Sequence, residues 1–331
     1  MRARPLTMRI EIEKWPLVAP FRIAGYAWEF SEVLLVHLET NAHVGRGEAG
    51  GVFYRNDSPA SMLLQLEALR PQIEAGLSRE VVQELLPPGG ARNALDCALW
   101  DLEAKVTGVP VWRTAKLGKP RALLTTFTCG ADTPEKMALR ARGYVNARAI
   151  KLKLTGEPCD ADRVCAVREA RPDVWLAVDA NQGLNRTSLE GLMPTLLRTR
   201  VQLIEQPFPI GQESLLDGFK SPIPVAADES VQGLADIQGL VGRFNIVNIK
   251  LDKCGGFTEG LAMARAARVL GLDAMVGNMT GTSLAMAPAF LLGQLCNVVD
   301  LDGPLLSTAD VPNAIRYEGS RMFPPEAGLW G

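Results

Sequence analysis

Short apolar stretches recur about every 25 residues between residues 123 and 301, and this spacing restricts the fold more than any other feature of the chain. They fall at 123–128, 148–154, 174–179, 201–205, 224–228, 245–250, 273–277 and 297–301. Each is short enough to be a strand, and each is followed by helical or loop sequence, the pattern of βα units. Eight such units argue for a closed barrel over an open sheet. No sequence repeat accompanies the period, so the repetition is structural only.

The first 120 residues follow a different pattern. Arg9-Ile10-Glu11-Ile12-Glu13 and the run from Glu32 to Leu38 alternate as strands. Residues 25–30 and 45–59 read as loops, glycine-flexed and carrying Trp28, Phe30, Phe53 and Tyr54. Such aromatics serve equally as a lid over a ligand or as packing against a second domain. Helices follow: one opens at Ser58-Pro59, a shorter one is capped by Ser78, and Pro87-Pro88-Gly89-Gly90 precedes a third over 91–106. Asp96 and Asp101 in that third helix read as structural or solvated.

In a βα barrel the C-terminal strand ends form one mouth, where chemistry is placed. In chain order these ends carry Lys151 and Lys153, Asp179 and Asn181, Glu205, Asp228 and Glu229, Lys250, then Asp300 and Asp302. Residues two apart on a strand share a face, so the two lysines repel one another unless anions lie opposite. Three successive strands end in carboxylates, which need a cation between them. Ligation by oxygen alone suits Mg²⁺, with Mn²⁺ as the alternative. The chain has two histidines, His37 and His43, both outside the barrel. Histidine bases and multi-histidine metal centres are therefore excluded there.

The charge balance, 35 basic against 37 acidic residues, gives no reason to expect nucleic acid or an anionic membrane as partner. The uncharged run 274–299 is interrupted by polar residues and Pro288, and reads as a buried strand-loop-helix unit, not a membrane span. Six cysteines without a C-x-x-C pair suggest reduced thiols in the cytoplasm. No apolar run follows the basic N-terminus, so no signal peptide is read.

Ile150-Lys151-Leu152-Lys153, Val178-Asp179-Ala180-Asn181, Ile204-Glu205-Gln206-Pro207, Ala227-Asp228-Glu229-Ser230 and Asn248-Ile249-Lys250-Leu251-Asp252-Lys253 together resemble the enolase superfamily. Within it they look like the muconate-lactonizing enzyme subgroup, and Ala91-Arg92-Asn93-Ala94-Leu95-Asp96 extends the likeness into the N-terminal region. Asp300-Leu301-Asp302 most resembles the dipeptide epimerases, in which this Asp-x-Asp holds the substrate's α-ammonium group. The resemblance implies an α/β fold: a modified TIM barrel, (β/α)7β, over 121–304. An α+β capping domain over 1–120 would be completed by about 305–331. It implies Asp179, Glu205 and Asp228 as metal ligands, with Lys153 and Lys250 as the acid/base pair. Lys253 is the rival for the second role, although on a strand it would face away from Lys250.

The expected activity is Mg²⁺-dependent epimerisation of a dipeptide, a 1,1-proton transfer at an α-carbon through an enediolate. Burial and the charge of Lys151 would both disfavour a charged Lys153, giving it the character of a base. In family members acting on L-Ala-D/L-Glu, a lid arginine pairs with the glutamate side chain, and here Trp28 falls at its place. Apolar or small dipeptides are therefore expected over Ala-Glu. The candidate substrate contacts are Asp300, Asp302, Arg22, Trp28, Phe53, Tyr54, Asn278 and Thr280. The alternative is another reaction of the subgroup: N-acylamino acid racemisation, o-succinylbenzoate synthesis or cycloisomerisation. None of these has a substrate ammonium group for Asp-x-Asp to hold. Whether the chain forms a homo-oligomer is open.

Overall fold

The computed structural model describes residues 6–23 and 25–331. The chain begins with an antiparallel sheet of β1 (Thr7–Ile23), β2 (Tyr26–Glu39) and β3 (Val44–Ala49), in that order. Helices α1 (Pro59–Glu74), α2 (Arg79–Leu85) and α3 (Gly90–Thr107) follow. The alternation along β2 is visible in its packing. Leu34, Val36 and Leu38 join one core with α1 and α3, whereas Val33 and Leu35 face the barrel side.

Two segments expected as loops, 25–30 and 45–59, contain strand, the first almost throughout and the second over its first five residues. Residues 26–30 continue β2, paired with the end of β1 beyond a bulge between Pro16 and Phe21, so the aromatic segment is the tip of a long hairpin. Residues 45–49 belong to β3. Its glycines are there for close approach: a Cβ on Gly47 would stand 2.0 Å from the Ala94 carbonyl oxygen of α3, and one on Gly45 2.3 Å from that of Ala98.

The candidate strand 123–128 is in fact two strands. β4 (Leu123–Leu124) leaves the barrel, and β5 (Phe127–Cys129) opens it. β6 (Ala149–Lys153), β7 (Trp175–Asp179), β8 (Leu203–Glu205), β9 (Val225–Ala227), β10 (Ile246–Ile249), β11 (Asp273–Val276) and β12 (Val298–Val299) follow in sequential parallel order. The Thr126 N–H donates to the Val299 carbonyl at 3.1 Å, bringing the last strand back beside the first. This is the expected (β/α)7β architecture, with two reductions. The β8–β9 connection holds only a short 3₁₀ turn, Glu213–Leu216, in a stretch that Pro207, Pro209, Pro222 and Pro224 bracket and that Gly211 and Gly218, at φ 85° and 70°, interrupt on either side of the turn. The β9–β10 connection has a single turn of helix, Ile237–Leu240.

The last part of the chain folds back on the rest. β13 (Tyr317–Glu318) and β14 (Arg321–Met322) form a sheet with β4. Trp330 donates its indole N–H to the Cys97 carbonyl at 3.0 Å, and Asp101 accepts from the Gly331 N–H at 2.8 Å. Asp96 caps helix Phe257–Val269 through the Thr258 N–H and hydroxyl, at 2.9 and 2.6 Å. Asp96 and Asp101 are thus buried structural carboxylates. No helix among the described residues is long and apolar enough to cross a membrane.

Candidate active site

Inside the barrel a small apolar layer of Ala177, Leu203, Ala226, Ile246 and Met275 forms a floor. Two residues further along their strands, on the same face, come Asp179, Glu205, Asp228 and Asn248. Strand register sets Lys153 beside Asp179 and Asp179 beside Glu205. Alternation therefore builds a polar layer directly on that floor.

Asp179, Glu205 and Asp228 each offer an oxygen within 4.8 Å of the others, and all three are buried. Ammonium groups surround them. Lys153 Nζ donates to Asp179 Oδ2 at 2.5 Å and Lys250 Nζ to Asp228 Oδ2 at 2.6 Å. Lys151 Nζ sits among Asp300 Oδ2 at 2.5 Å, Glu205 Oε2 at 3.2 Å and Asp179 Oδ2 at 3.6 Å. Both lysines of β6 thus reach one carboxylate, and the repulsion between them is met by anions. Burial would lower the Lys151 pKa, but Asp300, Glu205 and Asp179 hold it well above its ordinary value. Lys250 is likewise raised by Asp228 and Glu205 against the effect of burial.

The carboxylates differ among themselves. Burial, then Asp179, pushes Glu205 up to about 8. Burial would raise Asp228 too, but Lys250 and Lys253 outweigh it and hold this carboxyl well below its usual range. Lys253 therefore needs a correction. The strand ends at Ile249, and the helical turn Leu251–Cys254 brings Lys253 round to the carboxylate that Lys250 holds. Its Nζ donates to Asp228 Oδ1 at 2.6 Å and to the Asn248 carbonyl at 3.1 Å.

On the far side of Lys151, Asp300 also accepts from the Thr126 hydroxyl. Asp302 accepts from the Thr128 N–H at 2.6 Å and its hydroxyl at 3.2 Å. Burial and then Asp300 push Asp302 up to about 6, whereas Lys151 keeps Asp300 below its usual value despite burial. Asn278 donates to the Asp300 carbonyl at 2.7 Å and accepts from the Thr280 N–H at 2.8 Å. Thr280, at φ 73°, shares a 2.9 Å hydrogen bond with Ser31 of β2. A β-branched residue in the left-handed region is strained, and this one joins the hairpin to the mouth.

A cavity of about 520 Å³ opens over this layer. Lys151, Lys153, Lys250, Asp228, Asp300, Asp302, Asn278 and Thr280 line it from below, and Trp28, Phe53 and Tyr54 from above. Trp28 stacks on Tyr26 with ring centres 5.6 Å apart and meets Phe53 edge-on at 5.0 Å. Asp179 and Glu205 lie fully buried beneath the wall. Arg22 is the one candidate left out: its side chain is exposed and lines no part of the cavity.

Two further residues order the site. Asn248 donates to Glu205 Oε1 at 2.7 Å, and its position two before Lys250 is the strand-parity signal that finds it. Gln206, buried with φ 34°, accepts from the Asp228 and Ser230 N–H groups at 2.9 and 3.1 Å. Only the structure reveals that role.

Residues 6–114 match the mandelate racemase/muconate lactonizing enzyme N-terminal domain, and residues 135–329 match the enolase C-terminal domain-like family. The chain belongs to the enolase superfamily. This superfamily member is 38% identical over 313 residues to the L-Ala-D/L-Glu epimerase of Escherichia coli, covering 94% of this chain and 97% of that one. It is 42% identical over 248 residues to an N-acetyl-D-glutamate racemase of Pseudoalteromonas, covering 74% and 78%. A crystal structure of an enolase family member from Agrobacterium tumefaciens with homology to dipeptide epimerases, holding sodium and L-Ala-L-Glu, superposes with a TM-score of 0.96. Identity there is 36%, with 99% of this chain and 100% of that one covered.

Proposed function

We propose that this enolase-superfamily protein is a Mg²⁺-dependent dipeptide epimerase, an isomerase that inverts the α-carbon beside the substrate carboxylate. One observation carries the reading. Lys153 and Lys250 enter one mouth from strands four apart around an eight-stranded barrel, with three buried carboxylates between them. Amines on opposite walls can address opposite faces of one carbon.

The triad of Asp179, Glu205 and Asp228 fits a hard divalent cation: its donors are all oxygens and all buried. Bound there, Mg²⁺ would neutralise the substrate carboxylate, whose second negative charge is the main barrier to removing the α-proton. Lys153 takes that proton on one face and Lys250 returns one on the other. Lysine bases beside a divalent cation are the general pattern of enolase-type sites. Lys151, held charged by its three anions, keeps positive potential beside Lys153. Asp300 and Asp302 receive the substrate ammonium through charge-assisted hydrogen bonds. The six cysteines are unpaired, which fits a reducing cytoplasm.

The wall over the site favours apolar or small side chains. Phe21, Ile23, Trp28, Phe30, Phe53 and Leu306 line it, and among the described residues its basic side chains are Lys151, Lys153 and Lys250. Among the described residues a glutamate side chain would find no cation left for it, although the relatives above include one named for L-Ala-D/L-Glu and a structure holding L-Ala-L-Glu. Epimer formation from L-Ala-L-Phe and L-Ala-L-Ala should exceed that from L-Ala-L-Glu, measured by chiral chromatography at equal substrate concentration. Faster turnover of L-Ala-L-Glu would refute the preference. The 42% identical racemase supports a second reading, N-acylamino acid racemisation. N-acetyl-L-phenylalanine in the same assay separates the two, because it lacks the ammonium that Asp300 and Asp302 would hold.

A further inference from the structure

Of the side chains that line the cavity, two have an oxygen with no donor among the described residues: Glu229 Oε2 and Asn181 Oδ1. Glu229 is only 5% exposed, and both side chains line the cavity. They are joined to each other, since Asn181 Nδ2 donates to Glu229 Oε1 at 3.3 Å, leaving the other Glu229 oxygen and the one Asn181 side-chain oxygen free. They are also joined to the triad. The Asn181 N–H donates to Asp179 Oδ1 at 2.9 Å, and Glu229 follows Asp228 directly in the chain. After β7 the backbone turns through two left-handed residues, Asn181 at φ 40° and Gln182 at φ 68°. That strained turn keeps Asn181 on the cavity wall.

Burying an acceptor without a donor is costly, so this pair is built for a donor that arrives with something else. An ammonium group is one class, but Asp300 and Asp302 already offer it a site across the mouth. Water on a cation is the other. Mg²⁺ dehydrates reluctantly and keeps several waters when a few carboxylates bind it, and those waters need acceptors. We propose that Glu229 and Asn181 jointly hold water retained by a cation at Asp179, Glu205 and Asp228, which makes them positioning residues and not ligands. The inference rests on the triad assignment made under the proposed function.

The test is calorimetric titration of Mg²⁺ into the full chain freed of metal, without substrate. Glu229→Gln and Asn181→Gly should each weaken Mg²⁺ binding by about 10- to 100-fold. Glycine retains the left-handed backbone at residue 181 and changes no charge. Because both residues serve the same water, the double variant should bind little worse than the weaker single variant. Thermal unfolding in EDTA should leave Glu229→Gln at least as stable as the parent chain, since it removes a buried carboxylate next to Asp228. Affinity within threefold of the parent for either single variant, or losses that add fully in the double variant, would overturn the proposal. Asp179→Asn is the separate control: if it leaves Mg²⁺ binding intact, the triad assignment fails, whatever the other variants do.

Discussion

Asp228 shows how much of the site lies in single contacts. Its two oxygens are held by different lysines, Lys250 and Lys253, and this pairing keeps it ionised while neighbouring Glu229 is pushed up to about 7 by burial and by Asp228 itself. Most mouth residues are legible from strand alternation, because a two-residue period carries Ala177 to Asp179 and Leu203 to Glu205 without ambiguity. Lys253 is not, since the strand stops one residue before Lys250 and a helical turn rotates the chain. Arg22 misleads because its segment reads as the edge of a loop, whereas it is paired strand: Phe21 and Ile23 on either side line the cavity, and alternation turns Arg22 outward. At this scale the ammonium anchor is the exposed claim. Asp300→Asn with Asp302→Asn should lower kcat/KM for dipeptides by at least about 10- to 100-fold, the worth of charged hydrogen bonds. Unchanged dipeptide turnover would remove the role.

Among the elements of the capping side, β3 and α3 meet backbone to backbone at Gly45 and Gly47. Gly45 and Gly47 read as a flexible loop because glycine is depleted in strands, yet here its missing side chain is what lets helix and strand backbones meet. Gly47→Ala should therefore destabilise the fold by about 1–3 kcal/mol, the usual cost of overpacking, and more if α3 cannot shift. Urea unfolding measures it, and an unaltered midpoint would show that the contact relaxes freely. The long hairpin is hidden in the same way, since Pro16, Pro20 and Gly25 punctuate a sequence that the structure carries through as paired strands. The missing helix between β8 and β9, by contrast, falls in a stretch bracketed by four prolines and broken by Gly211 and Gly218, both in the left-handed region.

Across the whole molecule, buried carboxylates tie the capping layer to the barrel. Asp252 accepts from the Gly50 and Gly51 N–H groups at 2.9 and 3.0 Å, and Glu48 accepts from the Thr282 N–H at 2.7 Å and from its hydroxyl. Thr282 caps helix Ser283–Gly293, whose preceding loop carries Asn278 and Thr280, so Glu48 connects β3 with the cavity wall. Burial, opposed by the Thr282 bonds and aided by Asp252 and Asp310, raises Glu48 from 4.5 to about 7. Between those values the folded chain holds a proton that the unfolded chain has released. Its stability contribution is therefore largest below pH 4.5 and is lost as pH rises to about 7. Glu48→Gln should flatten that part of the stability curve, by up to about 3 kcal/mol across the window. Parallel curves for the two proteins would show that Glu48 is ionised in the fold.

The central claim is that two lysines on opposite walls, one removing a proton and the other delivering one, invert the α-carbon beside a magnesium-bound carboxylate. Solvent deuterium incorporation into L-Ala-L-Phe, followed by mass spectrometry, tests it most directly. With Mg²⁺ the parent chain should introduce one deuterium at the carbon beside the carboxylate. Lys153→Ala and Lys250→Ala should each lose exchange from a different epimer, and EDTA should stop both. Exchange of both epimers by either single lysine variant would contradict the account.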